Sequence, residues 1–163
     1  ALLSGACESS LQVDGKPCEP TGDWEATCEY TDDDVHYLEL EQAHEDGYAL
    51  QRQLMVIRED RCCFFADAVV HDQMQMHAGQ RPAEDNGTED LLPSIEYQVR
   101  LPLASNVDAE SDASTNESFL VTGRRRALVM PLSSFEWRDS PSVAATTKMQ
   151  VSEDQHLLLT TKG

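Results

Sequence analysis

The sequence is short of positive charge. Lysine and arginine total 12 residues against 30 aspartates and glutamates, which gives a formal net charge of -18. Such a chain repels phosphate backbones and anionic headgroups, so we expect neither a nucleic-acid partner nor a membrane partner. The same charge argues against a sulfated or uronic-acid polymer as main ligand unless the basic residues cluster. Surface acidity of this kind also serves solubility alone.

Recognisable catalytic motifs are missing too. The sequence contains no Gly-x-Ser-x-Gly nucleophile motif, no His-Glu-x-x-His zinc motif and no phosphate-binding glycine loop. Its densest apolar run, Arg61 to Val70, is too short to span a bilayer. The aromatic and β-branched residues of that run predict a buried strand instead. No self-contained catalytic site is therefore expected.

Many short segments do alternate apolar and polar residues. The clearest, residues 95–101, places apolar side chains on one face and charged or amide side chains on the other. Segments 24–30 and 35–41 also predict strands. Three further pairs of segments flank polar turns and predict hairpins: 48–57 with 62–70 at the centre of the sheet, 119–121 with 127–130, and 146–151 with 156–161. With no long amphipathic helix, the pattern predicts an all-β fold, an antiparallel β-sandwich or jelly roll of roughly eight or more strands.

Length and turn-forming residues predict the domain organisation. The 163 residues are enough for one ordinary domain. Residues 1–23 are rich in glycine and proline and predict a loop-rich segment with one strand near Leu11. A single β-sandwich domain is expected over 24–163, with a long loop or local disorder at 104–118. The missing initiating methionine predicts a processed or excised segment, and the first residues do not resemble a signal peptide.

The cysteine pattern leaves two alternatives open. There are five cysteines, so at least one thiol is unpaired. A disulfide between Cys18 and Cys28 would staple a poorly periodic segment and would suit an exported protein. Free thiols throughout are the alternative.

Asp67 is the most unusual side chain of the sequence because it interrupts the densest apolar run. An unpaired buried carboxylate is costly, so Asp67 needs hydrogen bonds or a cation. Backbone N–H groups or an arginine, such as Arg52 or Arg100, would supply that partner and make its role architectural. A ligand contact, or a role as catalytic acid or base, is the alternative.

Two kinds of metal site are conceivable from the residue types. Two imidazoles and two thioethers lie close together and form a ligand set that suits copper(I): His71, Met74, Met76 and His77. In an extended chain the histidines point opposite to the methionines, so a loop must fold to unite them. The acidic runs 32–34 and 84–90 offer oxygen ligands for calcium, although solvated loops explain them equally.

One basic cluster stands out against the acidic background. Arg124, Arg125 and Arg126 are close in sequence to Trp137 and Arg138. An aromatic ring beside arginines would hold a sugar or an anionic glycan. Ion pairs with the surrounding acids are the alternative.

Two stretches carry a resemblance to a known family. They are the run Arg61 to Val70, and the run Arg126 to Leu132 followed by Glu136, Trp137 and Arg138. Over residues 24–163 the pattern resembles the β-sheet domain that follows the α/α-toroid in heparinase II/III-like polysaccharide lyases. The resemblance implies a β-domain that packs against a helical domain and borders a substrate cleft. The toroid is absent here, so no catalytic tyrosine or histidine can be transferred.

These observations predict a non-catalytic β-sandwich module, structural or glycan-contacting, from a larger carbohydrate-active protein. Its expected partners are a polysaccharide or an upstream catalytic domain, and its expected location is the periplasm or the extracellular space. One alternative is a lyase β-domain that contributes Asp67, His71 or Arg138 to a cleft. Another is a metal-binding domain that uses residues 71–77.

Overall fold

The structure, a computed structural model, describes residues 5–72, 93–112, 117–123, 125–130, 146–152 and 154–162. The strands in this part of the chain are β1 (Glu8–Val13), β2 (Lys16–Pro17), β3 (Glu25–Thr31), β4 (Val35–Ala43), β5 (Tyr48–Ile57), β6 (Cys62–His71), β7 (Ile95–Pro102), β8 (Asp108–Asp112), β9 (Glu117–Thr122), β10 (Arg125–Val129), β11 (Thr146–Val151) and β12 (His156–Lys162). Every strand pair is antiparallel. The predicted all-β antiparallel fold is confirmed, as are the three predicted hairpins. Among the described residues, no helix is long and apolar enough to cross a membrane.

The chain forms two compact units. One, the continuous unit, comprises Cys18–Leu91, and the other, the split unit, comprises Ala1–Pro17 with Leu92–Gly163. The segment 1–23, predicted to be loop-rich, contributes β1 and β2 to the split unit. The single domain predicted over 24–163 stays a prediction.

The continuous unit contains a four-stranded sheet in the order β3-β4-β5-β6. Consecutive strands are neighbours because short turns join them. At the first turn, the Asp32 carboxylate accepts hydrogen bonds from the backbone N–H groups of Asp34 and Val35, at 2.9 and 2.7 Å. At the second, Asp46 and Gly47 adopt positive φ angles of 56° and 77° within a 3-10 helix, Glu45–Gly47.

The two faces of this sheet differ in burial. In β5, Tyr48, Leu50 and Arg52 are buried, and these alternate residues lie on one face. We call this the core face, and the opposite face, which holds no buried residue among these four strands, the open face.

The apolar run at Arg61 to Val70 is not the buried strand that the sequence predicts. It forms β6, which lies at the edge of the described sheet, and Phe64 is 43% exposed. Successive residues of a strand point to opposite faces, so a continuous apolar run places apolar side chains on both faces of the sheet. Only half of the side chains of β6 therefore lie on the core face. The internal strand of the predicted central hairpin is β5.

The split unit contains two sheets, ordered β11-β12-β7-β1-β2 and β10-β9-β8. The alternation at 95–101 forms β7 as predicted, with Tyr97 and Val99 buried. Leu120 from β9 and Leu157 from β12 belong to one buried cluster, together with Leu103 and Val107. Residues from both sheets therefore share a core, which is the packing expected of a β-sandwich. The sandwich or jelly-roll topology itself stays a prediction.

The loop or disorder predicted for 104–118 is wrong over residues 108–112, which form β8, and over residues 117 and 118, which begin β9. Aspartate, serine and alanine have little intrinsic preference for strands, so the residue types gave no signal. The strand forms because β9 supplies a full register of partners, Asp108 opposite Val121 through Asp112 opposite Glu117. Pairing to a neighbour overrides weak local propensity here.

Of the two alternatives for the cysteines, free thiols throughout are confirmed and a disulfide between Cys18 and Cys28 is not formed, since all five cysteines are free. Cys18 is buried and its thiol donates to the carbonyl oxygen of Glu45 at 3.5 Å, whereas Cys28 is exposed on β3. Burial, followed by the negative charges of Glu45 and Asp46, raises the pKa of the Cys18 thiol. That thiol therefore stays protonated and unreactive at neutral pH.

Candidate functional site

A row of large side chains crosses the open face of the four-stranded sheet. One residue comes from each strand, and each lies directly opposite the next: Tyr30, Tyr37, Met55 and Phe64. The two outer side chains are 54% and 43% exposed, and the two inner ones are half-buried. Because neighbouring strands lie about 4.8 Å apart, this aromatic row is roughly 14 Å long. It is an apolar platform on a face that is open to solvent.

Carboxylates lie near the two tyrosines of the row. Tyr30 donates its hydroxyl hydrogen to Asp32 Oδ2 at 2.9 Å, and this hydrogen bond raises the pKa of Tyr30. Partial burial, followed by the negative charge of Glu39, raises the pKa of Tyr37. Both phenols therefore stay neutral well above neutral pH, and the row carries no charge of its own.

Two amide–carboxylate pairs lie beside the aromatic row on the same open face. The Gln51 side-chain amide donates to Glu41 Oε2 at 2.9 Å, and that of Gln53 donates to Glu39 Oε1 at 3.3 Å. Each pair joins residues that are directly opposite in β4 and β5. An ionised carboxylate has about four lone-pair sites, so one glutamine does not saturate it. The open face thus combines an apolar platform with oriented hydrogen-bonding groups.

The core face of the same sheet carries a buried ion pair. Arg52 Nε lies 2.8 Å from Asp67 Oδ1, and Arg52 Nη2 lies 2.9 Å from Asp67 Oδ2. Both side chains are about 95% buried, at 6% and 5% exposure. The rings of Trp24 and Phe65 lie 4.6 and 4.7 Å from the guanidinium carbon. The expectation that an arginine such as Arg52 partners Asp67 is confirmed.

This ion pair has an architectural consequence for the open face. Arg52 and Asp67 are directly opposite in β5 and β6, so their two parallel hydrogen bonds fix the register of that hairpin. A slip of one residue would turn every side chain of β6 to the other face. The pair therefore holds Met55 and Phe64 side by side on the open face.

A second polar cluster, which sequence reasoning missed, lies at the turn between β11 and β12. Ser152 Oγ donates to Asp154 Oδ1 at 2.5 Å, and Arg100 Nη2 lies 2.9 Å from Asp154 Oδ2. His156 Nδ1 is 3.3 Å from the same carboxylate oxygen. The hydrogen bond from Ser152, followed by a backbone hydrogen bond and then by the charges of His156 and Arg100, lowers the pKa of Asp154. The alternation Ser-x-Asp-x-His across a tight turn was the signal that could have revealed it.

This cluster does not have the geometry of a nucleophile. The hydroxyl of Ser152 donates to Asp154, and the backbone N–H of His156 donates to Ser152 Oγ at 3.1 Å. Activation of a serine needs an adjacent general base that can take its proton. The lowered pKa of Asp154 makes its carboxylate a weak base, so we assign the cluster to the closure of the β11–β12 turn.

The copper and calcium predictions are only partly covered by the described residues. His71 Nε2 lies 3.0 Å from the carbonyl oxygen of Asp46, and its ring lies 4.5 Å from that of Tyr48. The other three proposed copper ligands, Met74, Met76 and His77, lie outside the described residues, as does the acidic run 84–90. Within the described part of the chain, no group of three or more histidine, cysteine or acidic side chains is placed to hold a metal. Both metal sites stay predictions.

The predicted basic site is also mostly outside the described residues, since these do not include Arg124, Trp137 or Arg138. Arg126 lies opposite Val121 in the β9–β10 hairpin and is exposed, while Arg125 lies opposite Thr122. A ligand site at these arginines stays a prediction.

Comparison with known proteins adds no relative. No family model matches the chain, and it matches none of the curated proteins or solved structures.

Proposed function

We propose that this protein is a non-catalytic binding module whose open face holds a neutral glycan. The observation that carries the proposal is the aromatic row Tyr30–Tyr37–Met55–Phe64, with both outer side chains exposed. We place the module in an exported, larger carbohydrate-active protein, in line with the sequence resemblance to lyase β-domains.

The shape of the row supports an extended ligand with flat apolar faces. A row of about 14 Å on a sheet offers room for a few consecutive rings that lie across the strands. The faces of aromatic rings carry a partial negative charge, and the C–H bonds on the flat side of a sugar ring carry a partial positive one. Stacking of sugar rings on Tyr37 and Phe64 would therefore combine burial of apolar area with this weak attraction.

The polar groups beside the row support a ligand rich in hydroxyl groups. Each sugar hydroxyl both donates and accepts, as does the paired set of carboxylate and amide at Glu39 with Gln53 and at Glu41 with Gln51. The carboxylates, and the net charge of -18, oppose sulfated and uronic-acid polymers. A neutral glycan satisfies both conditions.

Isothermal titration with a panel of oligosaccharides tests the proposal. The panel contains neutral gluco-, xylo- and manno-oligosaccharides together with uronic-acid and sulfated oligosaccharides of similar length. We expect heat of binding from at least one neutral member and none from the acidic members. Phe64→Ala should weaken that binding by about tenfold, because one stacked ring is lost.

The matched control is Phe119→Ala, which removes a phenylalanine of similar exposure, 41% against 43%, from β9 in the split unit. It should leave glycan binding unchanged. The proposal is wrong if no neutral oligosaccharide gives heat of binding, or if Phe64→Ala and Phe119→Ala lose the same affinity.

A further inference from the structure

The strand β8 lies at one edge of the three-stranded sheet β10-β9-β8. Within the part of the chain that the structure describes, β8 pairs with β9 on one side and with no strand on the other. The pairing to β9 is regular over all five residues, without a bulge. An edge of this kind presents backbone donors and acceptors that can pair with an added strand.

The residues of β8 alternate between acid and small side chain. Asp108, Glu110 and Asp112 occupy every second position, and Ala109 and Ser111 lie between them. Because strand residues alternate in direction, Asp108 and Glu110 share one face of the three-stranded sheet. Asp108 and Glu110 are exposed. β8 alone among the described edge strands carries a charge of one sign at every second residue.

The acidic face continues into exposed apolar side chains. Glu110 lies opposite Phe119, and Phe119 lies opposite Leu128. These two apolar side chains are 41% and 46% exposed. A long cationic side chain that reaches Glu110 can lay its methylene groups against Phe119, where the ring face also attracts the cation.

The other face of β8 leads into the core. Ala109 packs against the buried cluster that contains Val107 and Leu120. An apolar residue of an added strand, placed beside Ala109, would extend that cluster. A partner strand that complements both faces of β8 therefore alternates cationic residues, beside the acids, with apolar residues, beside Ala109.

We propose that β8 is a docking edge for an extended segment of a partner protein in which lysine or arginine alternates with aliphatic residues. Opposite charges across a strand pair stabilise it, and like charges directly opposite destabilise it. A second copy of this chain that pairs through its own β8 is disfavoured as the occupant, since two β8 strands in register would oppose acid to acid and the net charge of each chain is -18. The charges thus select a basic segment.

If the acids serve only to prevent unwanted strand pairing, the opposite result is expected. Charges on edge strands are a common device against unwanted strand pairing. If protection is their only role, a basic alternating strand gains nothing at this edge beyond diffuse attraction to an acidic protein. The two roles are separated by the pattern of charge in a peptide rather than by its amount.

The test uses the full chain and blocked synthetic peptides. One peptide alternates three lysines with valines, a second contains the same residues with its lysines contiguous, and a third is the alternating peptide with N-methylated backbone amides. Fluorescence anisotropy at low and at physiological salt measures binding. We expect the alternating peptide to bind at least tenfold tighter than the other two.

A charge-reversed variant, Asp108→Lys with Glu110→Lys, adds a gain of function to the test. It should bind the lysine peptide at least tenfold more weakly and should acquire binding of an alternating glutamate–valine peptide. Phe119→Ala should weaken the lysine peptide a few fold, and Phe64→Ala, of similar exposure, should leave it unchanged.

Several results would overturn the docking edge. They are no binding of the alternating peptide, equal binding of the contiguous or N-methylated peptide, or no change in the charge-reversed variant. None of these results bears on the glycan proposal, which concerns the continuous unit.

Discussion

The core face and the open face of the four-stranded sheet each carry side chains of a type that more often lies on the other face. The core face buries the Arg52–Asp67 ion pair, and the open face exposes Tyr30 and Phe64. Antiparallel sheets more often place apolar residues inside and polar residues outside. The comparison teaches that one alternating pattern of residues builds both faces. The ion pair on the core face fixes the strand register, and that register aligns the apolar platform on the open face.

The largest effect is expected from the core face. Asp67→Ala should lower the free energy of unfolding by about 3–5 kcal/mol, because Arg52 would remain buried without its counter-charge. Urea denaturation measures the change. Gln53→Ala is the control, since it removes an exposed side chain from the open face of β5, and it should change stability by about 0.5 kcal/mol or less.

A double variant sharpens this prediction. Arg52→Leu combined with Asp67→Leu should be more stable than Asp67→Ala alone, because no buried charge is left without a partner. If Asp67→Ala is as stable as the native protein, the pair does not hold the β5–β6 register.

The second prediction compares two apolar side chains, one on each face. Leu50 is fully buried on the core face, so Leu50→Ala should cost about 2–5 kcal/mol. Phe64→Ala, on the open face, should cost about 0.5 kcal/mol or less, although phenylalanine is the larger side chain. Thermal or urea unfolding of the two variants checks this order. An equal cost would mean that the open face is packed against something in solution.

The smallest expected effect is a pH dependence at the first turn of the sheet. Hydrogen bonds from the backbone N–H of Val35, from Tyr30 and from the backbone N–H of Asp34 lower the pKa of Asp32. A group whose pKa is lowered by folding stabilises the protein above its unfolded pKa, about 3.9, and this contribution disappears as the pH falls through the lower folded value.

Asp32→Ala should therefore be less stable than the native protein at pH 7, and the difference should shrink below about pH 4. Unfolding curves at several pH values measure it. Asp33→Ala, an exposed neighbour in the same turn, is the control. A difference that is constant across the acid range would contradict the assignment.

Strand positions were readable from the sequence where alternation was strong. Residues 95–101 form β7, and the polar turn at 58–61 separates β5 from β6, because each pattern already specifies which side chains are buried. β8 could not be read, since its acids and small residues carry no apolar period and the strand depends on β9. The sequence left the partner of Asp67 open between backbone N–H groups and an arginine such as Arg52 or Arg100, and only the register selects Arg52.

The aromatic row could not be predicted from the same information. Tyr30, Tyr37, Met55 and Phe64 come from four different strands, and their alignment depends on the length of the three turns that join those strands. A one-residue change in any turn would scatter the row over both faces. The individual residues are ordinary, and only the sheet register makes them a surface.

Methionine-methyl NMR tests the central claim most directly. With ¹³C-labelled methionine methyl groups, Met55 reports from the middle of the aromatic row and Met149, on β11 of the split unit, serves as the internal reference. On titration with the neutral oligosaccharides, we expect the Met55 signal to shift in a saturable way while the Met149 signal stays in place. A Met55 signal that does not move at saturating oligosaccharide, or equal shifts of both signals, would contradict the glycan-binding open face.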